Sequence, residues 1–78
     1  MKIEVFGSGC LKCRRTEDNF RKAAKELGLN AEIVHVYDFA EIVKRGITGT
    51  PAVAVDGRLV VSGRVPEVEE IKKWLKQE

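Results

Sequence analysis

Lys2-Ile3-Glu4-Val5-Phe6 alternates charged and apolar side chains, the two-residue period of a strand. Beyond it the period lengthens. Cys13, Phe20, Ala23, Ala24 and Leu27 fall on one face of a helix, and Gly28 is placed to stop it. Ala31–Tyr37 then runs β-branched and apolar on both faces, which predicts an internal strand. Strand, helix and strand within about thirty-five residues make a βαβ unit, whose two strands are parallel.

Asp38-Phe39-Ala40-Glu41 has the form of a capping box, with Asp38 accepting at a helix start and Glu41 reaching back; Phe39, Ile42 and Val43 are its apolar positions, and Gly46 ends it. Ala52–Val55 and Arg58–Val61 flank Asp56-Gly57, a dipeptide that tolerates the positive φ angles of a two-residue hairpin turn, so these strands are expected to be antiparallel. Pro66 suits the first turn of a last helix, and Val68, Ile71, Trp74 and Leu75 give that helix a face to lay on the sheet. The predicted order is βαβαββα. This is an α/β fold with a central four-stranded mixed sheet flanked by helices, in one domain over residues 1–78.

With 78 residues there is room for one core and no second domain. A hydrophobic content of 44% and a charged content of 33% are those of a water-soluble protein, and Met1 leads straight into the first strand, so a cytoplasmic location is expected. The net charge of +2 is too weak a field to argue for nucleic acid or a membrane surface as partner.

The sequence holds two cysteines, Cys10 and Cys13, in Gly7-Ser8-Gly9-Cys10-Leu11-Lys12-Cys13 at the first strand-to-helix junction. A bridge between them would close so short a loop that it would stabilise the fold by only roughly 2 kcal/mol, so reactivity or metal binding explains the pair better than stapling does. Unpaired N–H groups and the helix dipole favour a thiolate at Cys10, bringing its pKa from about 8.5 toward roughly 7. Cys10 is therefore the expected nucleophile. Cys13 shares the buried stripe with Phe20 and Leu27 and is the expected resolving thiol. Lys12, Arg14 and Arg15 put positive charge in a first turn that favours acids, and Lys12, between the sulfurs, is expected to support the thiolate.

With Cys10-Leu11-Lys12-Cys13 at that junction, βαβαββα order, and Thr50-Pro51 ahead of the third strand, the whole chain resembles the thioredoxin superfamily, in particular its small archaeal and bacterial redox-active disulfide proteins. The resemblance implies a thioredoxin-like fold and a protein disulfide oxidoreductase that works through its own cysteine pair without an added cofactor. It implies protein disulfide substrates and an upstream dithiol reductase; of the oligomeric states, which the sequence does not fix, a monomer is favoured. It makes Pro51 a cis proline facing the cysteines, with Thr50 offering backbone hydrogen bonds to a bound peptide and Gly9 and Leu11 beside it. It also places a buried acid at Glu4, with a raised pKa, to accept the Cys13 proton. The sequence departs from the family pattern in having no tryptophan before Cys10 and in having Leu11 where proline or glycine is common. Ser62-Gly63-Arg64-Val65 only loosely resembles the glutathione-binding segment of glutaredoxins.

The rival reading is a soft-metal module for Cu(I) or zinc, because paired thiolates suit soft cations. Element order argues against it, since the small copper and mercury carriers run βαββαβ. A zinc site needs four ligands, and the chain offers two thiols and one histidine. A redox-inactive docking domain is a third reading, against which the intact cysteine pair counts. His35, Tyr37 and Trp74 read as packing residues.

Overall fold

The computed structural model describes residues 1–76; Gln77 and Glu78, the end of the expected domain, lie outside the described residues. Its elements are β1 (Lys2–Phe6), α1 (Leu11–Glu26), β2 (Glu32–Val36), α2 (Phe39–Lys44), β3 (Ala52–Val55), β4 (Arg58–Ser62) and α3 (Val68–Lys76), in the predicted order. The strands form one sheet ordered β2-β1-β3-β4, with β1 and β2 parallel and the β1–β3 and β3–β4 pairs antiparallel.

Alternation along β1 and β3 divides the core between the two faces of the sheet. Ile3, Val5, Val53 and Val55 point to α1 and α3, where Phe20 and Ile71 are fully buried. Trp74 tilts against Phe20 there, with centroids 6.4 Å apart, and so packs as expected. Phe6, Ala52 and Ala54 point the other way and meet Ile42 of α2 and Ile47. The Asp56-Gly57 turn has φ of 49° and 86°, both positive as the hairpin requires. Lys2 and Asp56 pin it to β1, the Lys2 N–H donating to Asp56 Oδ1 at 2.7 Å and the Asp56 N–H to the Lys2 carbonyl at 2.8 Å. No helix among the described residues is long and apolar enough to cross a membrane.

Three expectations need correction. β2 lies at an edge of the sheet, and Ile33 to Val36 are only half-buried. Its run reads as internal because its apolar residues border both cores, Ile33 the one under α1 and α3 and Val36 the one under α2. The last helix starts at Val68, with Pro66 just ahead of it and not in its first turn. The Glu67 carbonyl accepts from the Ile71 N–H at 3.1 Å, and Glu70 Oε1 reaches back to accept from the Glu67 N–H at 2.9 Å, the N3 half of a capping box, which marks the start. Asp38 does cap α2, accepting from the Ala40 N–H at 3.0 Å, but Ile42 alone of its apolar residues is buried while Phe39 and Val43 are exposed.

Candidate active site

β1 ends at Phe6 and α1 begins at Leu11, leaving Gly7 to Cys10 to turn the chain above the sheet. Cys10 is the N-cap of α1, with extended backbone angles of −69° and 175°, and its carbonyl accepts from the Arg14 N–H at 3.0 Å. One turn later Cys13 points inward. The two thiols are reduced, Cys10 exposed and Cys13 buried, with their Sγ atoms 3.5 Å apart. This is the predicted division between an accessible and a sheltered sulfur.

The Cys10 thiol is lowered to about 7, first by the backbone N–H of Cys13 and then by its thiol, with smaller contributions from the Ser8 side chain and the Lys12 N–H, against a desolvation penalty. These are hydrogen-bonding interactions of the sulfur with groups in and beside the first turn of α1, where the helix dipole also favours the thiolate. The ammonium of Lys12 and the guanidinium groups of Arg14 and Arg15 are not among the causes. Lys12 acts on the thiolate through its peptide N–H, because its side chain stands in solvent, where its charge is screened.

Glu4 departs from the resemblance. Its carboxylate is pinned by Arg45, with Nη2 to Oε1 at 3.0 Å and Nη1 to Oε2 at 3.2 Å, while the guanidinium lies 5.0 Å over the Phe6 ring. Only 14% of the side chain is exposed. The Arg45 hydrogen bonds nevertheless outweigh burial and hold its pKa below the usual carboxylate range, where a raised value was expected. Glu4 also alternates with Ile3 and Val5, on the face away from α1. The physical reason for the miss is a partner 41 residues away that no local pattern announces.

The Thr50–Pro51 peptide bond is cis and Pro51 is fully buried, its carbonyl accepting from the Gly63 N–H at 2.9 Å. An open groove of about 280 Å³ is lined by Gly7 and Ser8, which lead to Cys10, and by Thr48, Gly49 and Thr50. Tyr37, Phe39, Ile42 and Ile47 complete its lining. Tyr37 is 62% and Phe39 78% exposed, so they form an apolar rim where the sequence suggested packing. Leu11, next to Cys10, is exposed as well. Gly9 has φ of +85°, and a methyl group on it would come within 2.9 Å of the Tyr37 ring.

Gly7 and Ser8 are residues that sequence reasoning passed over. A methyl group on Gly7 would overlap Cys13 Sγ and lie 3.8 Å from Thr50 Cβ, so glycine is the residue that lets the strand end pass the buried sulfur and approach the cis-proline loop. The available signal was a glycine directly after a strand and three residues before a cysteine.

An exposed and a buried sulfur 3.5 Å apart at a helix N-terminus, with Gly7 between the buried one and Thr50, make a dithiol site of the disulfide oxidoreductase class. Residues 1–76 match the thioredoxin domain model, and the chain belongs to that family. It is 47% identical over 75 residues to a thioredoxin of Methanothermobacter thermautotrophicus, spanning 96% of this chain and 97% of that one. To a thioredoxin of Methanocaldococcus jannaschii it is 50% identical over 74 residues, spanning 95% and 85%. In fold it is similar to thioredoxin 1 from Thermosipho africanus, with a TM-score of 0.64 at 18% identity over 99% of this chain and 92% of that one. None of these matches supports the metal-carrier alternative, and among the described residues no three His, Cys, Asp or Glu side chains are grouped to hold a metal ion.

Proposed function

We propose that the chain, as one cytoplasmic domain acting as a monomer, reduces and exchanges disulfides in protein substrates with Cys10 and Cys13, and is itself re-reduced by an upstream dithiol reductase. The observation that carries this is an exposed Cys10 sulfur with a pKa of about 7, 3.5 Å from a buried second thiol. Near neutral pH about half of such a cysteine is thiolate, close to the optimum for attack on a disulfide.

The Cys10 thiolate attacks one sulfur of the substrate disulfide, forming a mixed disulfide and releasing the other sulfur as a thiolate. Cys13 then gives up its proton and attacks Cys10 Sγ, expelling the second substrate sulfur and closing the Cys10–Cys13 bridge. Two electrons pass to the substrate. With Glu4 committed to Arg45, the first departing thiolate is the acceptor for the Cys13 proton. No added cofactor is required. Gly9, Leu11, Thr50 and Pro51 frame the substrate's approach, and Lys12 contributes its peptide N–H.

Insulin reduction by dithiothreitol, followed by turbidity, tests the reading. Wild type should accelerate precipitation, and Cys10→Ser and Cys13→Ser should not; a wild-type rate equal to both variants refutes it. Iodoacetamide should label Cys10 well before Cys13 in the reduced protein, and equal rates would overturn the assignment of roles.

A further inference from the structure

His35 has an unusual environment. Its side chain is 10% exposed, its Nδ1 lies 3.1 Å from Glu17 Oε1, and its Nε2 is buried with no hydrogen-bond partner. Arg21 Nη2 donates to the other Glu17 oxygen at 3.1 Å. Burial raises the Glu17 pKa, but the hydrogen bonds from Arg21 and His35 more than offset it, so the carboxylate stays ionised. An ionised carboxylate only accepts, which makes Nδ1 the donor and fixes the orientation of the imidazole ring.

An unpaired ring nitrogen inside a protein is unfavourable, so the placement of this ring has to be compensated elsewhere. The imidazole forms the platform for Tyr37. The two rings are stacked with centroids 4.1 Å apart and planes 6° from parallel. Being largely exposed, Tyr37 would otherwise be free to swing into solvent. Held on His35, it stands against Gly9, where a methyl group would come within 2.9 Å of its Cε1. Gly9 leads into Cys10, the N-cap of α1, and Glu17 sits on that same helix. The contacts form a closed circuit from α1 through Glu17, His35, Tyr37 and Gly9 back to Cys10.

We propose that Glu17, His35 and Tyr37 act together as a positioning device for Cys10, clamping the Gly9–Cys10 backbone so that the sulfur stays over the N-terminus of α1. The proposal rests on the oxidoreductase reading. Cys10 Sγ meets the Cys13 thiol at 3.5 Å, and whether it reaches that place over the helix start depends on the backbone that carries it. The clamp acts on that backbone. None of the three residues touches the reacting sulfurs, so their effect on the reaction passes through the geometry of the turn.

The test is the pH profile of iodoacetamide labelling at Cys10 in the reduced, full-length protein. Tyr37→Ala removes the ring, and the profile should shift to higher pH, with labelling at pH 7 about fivefold slower. Tyr37→Phe keeps the ring and should show the wild-type profile, which excludes the hydroxyl as the cause, whereas Tyr37→Leu fills space without a flat face and should shift as Tyr37→Ala does. His35→Ala should move the profile in the same direction as Tyr37→Ala. A folded Tyr37→Ala protein with the wild-type profile overturns the proposal. If that variant does not fold, Tyr37→Leu, which keeps volume but has no flat face to stack, decides the matter by the same criterion. Insulin reduction by wild type separates the two claims. Its absence refutes the oxidoreductase reading, whereas its presence beside an unshifted Tyr37→Ala profile refutes the clamp alone.

Discussion

Replacing Gly7 with alanine is the sharpest probe of how the buried sulfur is housed. Gly7 does not lie in the left-handed region, so its backbone would accept a side chain, and the whole penalty comes from what the new methyl meets. It meets Cys13 Sγ in overlap and Cys13 Cβ at 3.5 Å. Both sit in fully buried surroundings packed at close to crystal density, where nothing nearby can yield cheaply. Overpacking of this kind costs about 1–3 kcal/mol. For a domain of this size that corresponds to a fall in Tm of about 4–24 °C. The chemistry should suffer independently of stability. To bond, the two sulfurs must close from 3.5 Å to about 2.05 Å, and a Cys13 sulfur pushed off its site by the methyl starts from the wrong place. Thermal melts of the reduced protein and the rate of thiol loss on exposure to oxidised dithiothreitol measure the two effects. Gly28→Ala is the control. Gly28 has φ of +68° and nothing within 4 Å of a new methyl, so that variant should lose about 1 kcal/mol to backbone strain and oxidise at the wild-type rate. A Gly7→Ala protein with unchanged Tm and unchanged oxidation rate would refute the reasoning.

Under reducing conditions the lowered Cys10 pKa adds stability that is fully present above the pKa of the unfolded thiol and is lost as pH falls through about 7. The urea midpoint of wild type relative to Cys10→Ser should therefore rise between pH 6 and 9, and a pH-independent difference would contradict the assignment. Arg45→Met leaves a mostly buried Glu4 carboxylate without its partner and should cost about 1–2 kcal/mol at pH 7. Since the Glu4 pKa is depressed in the folded protein, that cost should shrink as pH falls below about 4, which chemical denaturation at pH 7 and pH 3 would show. Phe39→Ser removes an exposed side chain from the groove rim and should raise the KM for insulin while leaving Tm within about 2 °C of wild type.

Where the sequence predicted the structure well, the determinants were local. The alternation of Lys2 to Phe6, the stripe from Cys13 to Ala24, the Asp56-Gly57 turn and the Asp38 cap all act within a few residues, and each stands where its pattern places it. The arrangement of Cys10 and Cys13 follows from the same locality, since a helix start fixes both the dipole and the inward-facing position one turn on. The misses depended on contacts distant in the chain. Arg45 captures Glu4 and reverses its expected titration. Tyr37 and Phe39 have the composition of core residues, but the strand before Tyr37 lies at the edge of the sheet and the helix that Phe39 begins buries Ile42 alone. Gly7 reads as part of a turn until the position of the Cys13 sulfur is known.

α2 has six residues and a single buried anchor, whereas α1 and α3 share a larger core on the opposite face. Backbone amides held by so little apolar contact open by local fluctuation long before the whole molecule does. Deuterium should therefore replace the protons of residues 39–44 while those of β1 and β3 remain protected. A partner seated against Phe39 meets a compliant wall, and the helix that carries the sulfurs need not move to admit it.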